Sequence, residues 1–295
     1  MKHHFGDFLD RTDDYWTTIP NRERFAFIAD FEIQNKDEVK ILTISKTQSQ
    51  EHWEQIFECK NLEELTLHDP SKEQVIAIRK LTILKRLRIT FLRTNDIEFI
   101  SDLINIEELI LEYVSGFTDL TPLLKLTKLK SIHFENLRRV TNFDGLKGLK
   151  CLRYLQIDGT LDFSQPIENF NFLEGIESLE VLALGFITNK TEYPALLPIL
   201  KLKKLKKFIA GMSSLSTKEF AFIEVATPNT NRCNFSNTKL EKYFVNKKNE
   251  AYLLGKGTRT LNLALENSTE KLKLFEDKYE EYKLEAKTII KNYCG

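Results

Sequence analysis

Between residues 39 and 210 the chain repeats one short frame of apolar and polar positions: apolar, two variable, apolar, one variable, apolar. It reads Leu62-Glu-Glu-Leu65-Thr-Leu67, Leu84-Lys-Arg-Leu87-Arg-Ile89, Ile106-Glu-Glu-Leu109-Ile-Leu111 and Leu129-Lys-Ser-Ile132-His-Phe134. Further copies start at Leu152 and Leu179, an earlier one at Val39 and a weaker one at Leu205. First positions step by 23, 22, 22, 23, 23, 27 and 26 residues. Of 42 leucines, 30 fall between Leu62 and Leu205, so the spacing is no chance scatter. Apolar residues at alternate positions form one face of a short strand. One such strand cannot bury its face alone, whereas stacked copies share a core. Residues 51–58, 72–80, 96–103 and 194–202 read as short helical or irregular returns. Pro122 and Pro194 suit the first turn of such a helix, where no N–H is needed. Eight strands stacked at about 4.8 Å give a parallel sheet roughly 34 Å across.

This segment resembles leucine-rich repeat proteins, particularly the short internalin-like bacterial class, over about residues 39 to 212. The copy that carries the resemblance best runs from Phe117 through Leu120, Pro122, Leu123, Leu126 and Leu129 to Ile132. The resemblance implies an α/β solenoid: a curved parallel sheet on the concave side and short helices or irregular returns on the convex side. It implies binding rather than catalysis, although the fold alone names no partner. One departure stands out. The family places Asn eight residues after the first leucine, whereas these positions hold Pro70, Leu92, Val114, Leu137, Thr160, Ile187 and Ser213. Apolar packing is expected to replace the asparagine ladder.

A solenoid exposes apolar surface at both ends unless capped. Residues 1–38 are poor in leucine but carry Phe5, Phe8, Tyr15, Trp16, Phe25, Phe27 and Phe31. They read as an N-terminal cap, with residues 31–42 as a hairpin into the first repeat; a separate binding arm is the alternative. Residues 39–226 form the solenoid, with a final return helix over 216–224. Residues 227–295 form an α+β C-terminal segment. There, residues 250–263 read as two strands around Gly255-Lys-Gly257. A long helix follows, capped at Asn267, with Glu270 at its third position. Its apolar stripe of Leu272, Phe275, Tyr279, Tyr282, Ala286, Ile289 and Tyr293 steps by threes and fours. Packing on the chain's own last repeat is the expected use; a helix-mediated dimer through 267–293 is the other.

Charge and chemistry narrow the function. Lys+Arg and Asp+Glu are both 43, so a nucleic-acid binder held by a basic surface is not expected. The lysines of residues 201–207 leave the repeat frame intact and read as a solvated convex edge. Cys59, Cys151, Cys233 and Cys294 are scattered, which supports neither a disulfide scaffold nor a zinc site. The acidic N-terminus is no signal peptide, and no apolar run is long enough to span a membrane. The chain therefore reads as cytoplasmic, without cofactor or metal. His68 and His133 fall on the sheet face three copies apart, roughly 14 Å, too far to share a metal. No nucleophile sits in a recognisable motif. An enzyme with its site in the C-terminal segment remains the weakest alternative.

What the frame builds is a surface. Its third, fifth, seventh and eighth positions point to the concave side. The expected partner-binding residues are Arg86, Arg88, Phe91, Glu108, Glu112, Tyr113, His133, Glu135, Tyr154, Gln156, Asp158 and Phe186. Glu108, Glu112, Glu135 and Asp158 read as an acidic stripe with aromatic rings beside it. Rings supply buried area and charges steer encounter, the combination that protein interfaces favour. The expectation is a recognition protein for another protein, which the stripe suggests is basic. An inhibitor or immunity protein that plugs a basic toxin enzyme is the narrower alternative.

Overall fold

The computed structural model describes residues 10–12, 15–17, 27–29, 31–46 and 51–294. Within it the repeat frame does what its spacing requires. The apolar residues of every copy point inward, with Leu65, Leu87, Leu109, Ile132, Leu155 and Leu182 completely buried. The strands that carry them are β2 (Ile41–Ser45), β3 (Glu64–His68), β4 (Arg86–Thr90), β5 (Glu108–Glu112) and β6 (Ser131–Glu135). The series continues with β7 (Tyr154–Asp158), β8 (Val181–Gly185) and β9 (Lys207–Ala210). All pair in parallel and in register: Leu65 lies opposite Leu87, which lies opposite Leu109 and so on to Phe208. The result is the expected α/β leucine-rich repeat solenoid.

The sheet is larger than the eight copies. Two further strands, β1 (Phe27–Ile28) and β10 (Asn231–Cys233), extend it to ten. Neither carries the frame, because an end strand needs only backbone pairing to its one neighbour. The hairpin expected over residues 31–42 does not form. Residues Lys36–Glu38 make a 3-10 turn, and β1 pairs with β2 in parallel. Ile33 and Val39 turn into the core instead, which leaves Phe31 exposed. Phe5, Phe8 and Phe25, with His3 and His4, lie outside the described residues. Asp10–Thr12 and Tyr15–Thr17 form an antiparallel pair, the second strand of which approaches β7.

On the convex side the returns are mostly 3-10 turns, among them Trp53–Glu58, Glu98–Asp102, Thr121–Lys125 and Leu197–Lys201. One return begins as a helix, α1 (Lys72–Ala77), and each return drops at least one apolar residue into the interior, among them Ile56, Ile78, Ile100, Leu123, Leu146, Leu173 and Ile199. Pro122 does sit in the first turn of its helix. In the Leu197–Lys201 turn that place belongs to Pro198, and Pro194 lies upstream of it. The two long copies use their additional residues for a second parallel pair, Gln165–Ile167 with Ile187–Asn189. At the family's asparagine position Leu92, Val114, Leu137 and Ile187 are buried. A glutamine takes over part of the lost hydrogen bonding. The Leu137 amide donates to Gln165 Oε1 at 2.9 Å, and Gln165 Nε2 donates to the Val140 carbonyl at 2.7 Å.

The C-terminal end is closed by helices α2 (Thr217–Ala226) and α3 (Ser268–Cys294) and by strands β11 (Tyr243–Val245), β12 (Glu250–Leu253) and β13 (Leu261–Asn262). Strands β12 and β13 pair around the Gly-Lys-Gly turn as expected, and β11 adds a third strand. The turn docks on the first residue of α2 and on the segment before it, through Thr217 Oγ1 to Leu254 O at 2.9 Å and Gly255 N to Met212 O at 2.8 Å. Gly255 has φ +133°, and a Cβ there would sit 2.1 Å from Thr217 Oγ1, so only glycine fits. The stripe on α3 meets α2: Tyr279 and Ala286 are buried, and the Tyr279 hydroxyl donates to Glu224 at 3.0 Å. Lys283–Glu224 and Lys218–Glu285 flank the contact at 2.9 and 2.7 Å. The seam is therefore used inside the chain. Among the described residues no helix is long and apolar enough to cross a membrane.

Candidate protein-recognition surface

Strand alternation sends the third and fifth positions of each copy to the concave side. There the charges pair with one another. Arg86 lies between two carboxylates, bonding Glu64 through Nη1 and approaching Glu108 Oε1 through Nε at 2.8 Å. Both carboxylate side chains are almost fully buried, at 3% and 1% exposure. Next to this trio, Arg88 Nη2 meets Glu112 Oε2 at 2.8 Å. His133 is buried near Arg88, and burial together with that positive neighbour pushes its pKa down to about 3, so the ring is neutral. On β7 the Tyr154 hydroxyl donates to Gln156 Oε1 at 2.6 Å, and Gln156 Nε2 donates to Asp158 Oδ2 at 3.1 Å. Tyr154 and Gln156 are buried, as are Ile110 and Val181 on the same face.

The expected acidic stripe is accordingly shorter and less negative than its sequence. Glu108 is removed from solvent and held against Arg86, and Glu112 is tied to Arg88. Burial, with Glu112 and Asp158 nearby, raises Glu135 to about 7 despite a hydrogen bond from Tyr113. Burial raises Asp158 to about 6. Both groups hold protons in the fold that they release more readily in the unfolded chain. Stability from them is therefore highest below the ordinary carboxylate range and falls as pH rises toward 7. The Glu135→Gln variant should melt higher than the parent at pH 8 and equally at pH 4. Melting curves across that range check this; a constant difference between the two proteins would refute the assignment.

At the C-terminal rim of the sheet the picture changes. The eighth residue of several copies turns the chain through the left-handed region: Asp69, Phe91, Tyr113, Asn136 and Phe186 have φ between 43° and 58°. For a ring-bearing residue this costs on the order of 1–3 kcal/mol. A hydrogen-bonded rung holds most of these residues there. The amides of Phe91, Tyr113 and Asn136 donate to the carbonyls of Glu112, Glu135 and Asp158 at 3.0, 2.9 and 2.9 Å. At the three aromatic positions the ring points outward. Phe91 is 52%, Tyr113 37% and Phe186 48% exposed. Phe91 and Tyr113 stack at 4.9 Å, close to the strand spacing, and His68 meets Phe91 edge-on at 5.5 Å.

The twelve expected residues thus divide. Arg86, Arg88, Glu108, His133, Tyr154 and Gln156 belong to a packed inner face. Phe91, Tyr113 and Phe186 stand out at the rim, with Glu112, Glu135 and Asp158 just inside it. Sequence reasoning missed three contributors: Glu64 as third member of the ion trio, Asn136, and the pair Arg93 and Arg138. For Glu64 a signal existed, since the third column alternates in sign from Glu64 to Arg86 to Glu108. Among the described residues no cluster of side chains suits a metal ion, and His68 bonds Thr90 at 2.8 Å.

No protein-family model matches the sequence, and no curated protein matches it significantly. Among solved structures the chain is similar to an internalin (inlF) from Listeria monocytogenes, at 16% identity and TM-score 0.40, covering 66% of this chain and 67% of that one. It is similar to internalin C2 (inlC2) from Listeria monocytogenes, at 22% identity and TM-score 0.40, covering 52% and 65%. It is also similar to a leucine-rich repeat protein of Leptospira interrogans, at 18% identity and TM-score 0.40, covering 69% and 50%. The fold is a leucine-rich repeat solenoid. That assignment stands on the parallel register and the repeat spacing of the chain itself.

Proposed function

We propose that the chain is a non-enzymatic recognition module whose partner is another protein, docked on the C-terminal rim of the concave face. The observation that carries this reading is the exposed, stacked pair Phe91 and Tyr113 on strained left-handed backbone, with Phe186 further along the same rim. Backbone strain of this kind collects at functional sites, and exposed rings on a rigid frame give large contact area with little ordering cost. The row of Glu112, Glu135 and Asp158 lies alongside and adds polar selection. An inhibitor of a basic enzyme is the narrower form of the same reading. It draws less support from this face, because Glu108 and Glu112 already face Arg86 and Arg88.

A photo-reactive phenylalanine analogue at position 91, 113 or 186 tests the surface directly. Each should trap a discrete adduct in native lysate, whereas the analogue at Ile104, exposed at 53% on the convex side, should not. Equal trapping at Ile104, or none at the rim, would move the interface elsewhere.

A further inference from the structure

Beside the stacked rings the rim holds a notch of about 270 Å³, lined by Phe91, Arg93, Tyr113, Ser115, Asn136 and Arg138 among others. Its frame is fixed by backbone bonds outside the main sheet. Ser115 N donates to Leu92 O at 2.8 Å and Thr94 N to Ser115 O at 2.9 Å, so Arg93 and Ser115 form a parallel bridge. The notch is therefore preformed.

Three features of its lining are unfulfilled. Asn136 is 2% exposed, and its Oδ1 accepts no hydrogen bond from a described residue. A buried amide oxygen without a donor costs about 1–3 kcal/mol, and such groups in folded proteins call for a specific reason. Arg93 and Arg138 are exposed, and neither forms an ion pair with another described residue. Arg138 lays its guanidinium 5.6 Å from the Phe163 ring centroid. The rings of Phe91 and Tyr113 supply an apolar wall.

The missing complements are an N–H donor for Asn136, a carboxylate for the two guanidiniums and a flat or apolar group for the rings. An inorganic anion brings only the second. An extended peptide brings all three: backbone N–H, an Asp or Glu side chain, and an apolar neighbour. We infer that the notch is a docking site for an acidic peptide segment of the partner protein. This rests on the rim being the recognition surface and adds the partner's charge, opposite in sign to what the carboxylate stripe suggested. Arginine binds carboxylates through two parallel bonds, so the site selects charge as well as shape.

The full chain labelled with nitrogen-15 provides the test, with acetyl-Glu-Tyr-Glu amide and acetyl-Gln-Tyr-Gln amide as probes. The acidic probe should shift the side-chain signals of Arg93, Arg138 and Asn136 and bind at least about tenfold more tightly than the neutral one. Its affinity should fall with salt, as expected of an exposed charge pair. The double variant Arg93→Gln/Arg138→Gln, both at the surface, should keep its melting temperature and lose the preference. Equal affinity for both probes would overturn the charge selection while leaving the rim intact. Shifts confined to residues away from the notch, or no shift at roughly 10 mM acidic probe, would overturn the site itself. Failure of trapping at position 91 with Arg93 and Arg138 still responding would count against the rim as the protein-binding surface and not against the notch.

Discussion

Replacing Arg86 by alanine is expected to lower the unfolding free energy by about 3–5 kcal/mol at pH 8, the range for removing one partner from a buried ion pair. The magnitude follows from the partners left behind. Glu64 and Glu108 flank Arg86 on adjacent strands, and their side chains are almost entirely withdrawn from water. With the guanidinium gone, two neighbouring carboxylates share a low-dielectric site without the cation between them. With one of them neutral most of that repulsion is gone, so the loss should be larger at pH 8 than in acid. The double variant Arg86→Ala/Glu108→Gln should recover part of the stability at pH 8 for the same reason. Arg88→Ala provides the scale. Its pair with Glu112 keeps both side chains at 15% exposure, so the loss should be smaller. Urea unfolding at pH 5 and pH 8 measures all of these; an Arg86→Ala loss that is small and independent of pH would mean the trio contributes little.

The trio also marks how far the sequence could be read. Once Leu62, Leu84 and Ile106 set the register, positions 64, 86 and 108 had to be neighbours, and their alternating sign was a signal of an ion ladder that the reading of the columns left unused. What the sequence hid was depth. Third-position residues were read as partner-binding residues on the concave face, whereas Glu108 is fully buried and Tyr154 nearly so. The Arg88–Glu112 pair was less legible, because it joins the fifth position of one copy to the seventh of the next. The left-handed turns at Phe91, Tyr113 and Phe186 were invisible for a different reason. Residue preference argues against φ near +50° for rings, and at Phe91 and Tyr113 an amide bond to a carbonyl of the next strand sustains it. In the same way β1 and β10 carry no leucine frame, and it is backbone pairing that adds them to the sheet. At the C-terminal end, by contrast, the stripe on α3 and the turn at Gly255 were both readable. A helix repeat of threes and fours and a glycine pair each leave a local trace.

The interior rows predict the second large effect. Phe143 is 1% exposed and lies between Phe134 and Phe172, with ring centroids 6.3 and 5.6 Å away. Phe134 and Phe143 belong to the copy that starts at Leu129 and Phe172 to the copy that starts at Leu152, so the Phe143–Phe172 contact ties one coil to the next beneath the convex returns. Phe143→Ala should cost about 3–5 kcal/mol, the sum of lost transfer energy and the void that the neighbouring coils cannot close. The consequence differs from that of a hole in a globular core. In a stacked array each unit contacts only its neighbours, so weakening one contact invites the array to part there. Urea unfolding of Phe143→Ala should show a lower midpoint together with a shallower slope, as the coils on either side of residue 143 begin to unfold separately. Phe134→Leu, which keeps most of the volume, should lower the midpoint with the slope unchanged. A shallow slope in both variants, or in neither, would mean that the rings fill space without coupling the coils. Coupling matters for the rim: Phe91 and Tyr113 stack only while β4 and β5 hold their register, and β6, which supplies Asn136 to the notch, is the strand that Phe134 anchors. Loss of the Phe143 contact should therefore weaken the acidic-probe response at Asn136 before the protein unfolds as a whole.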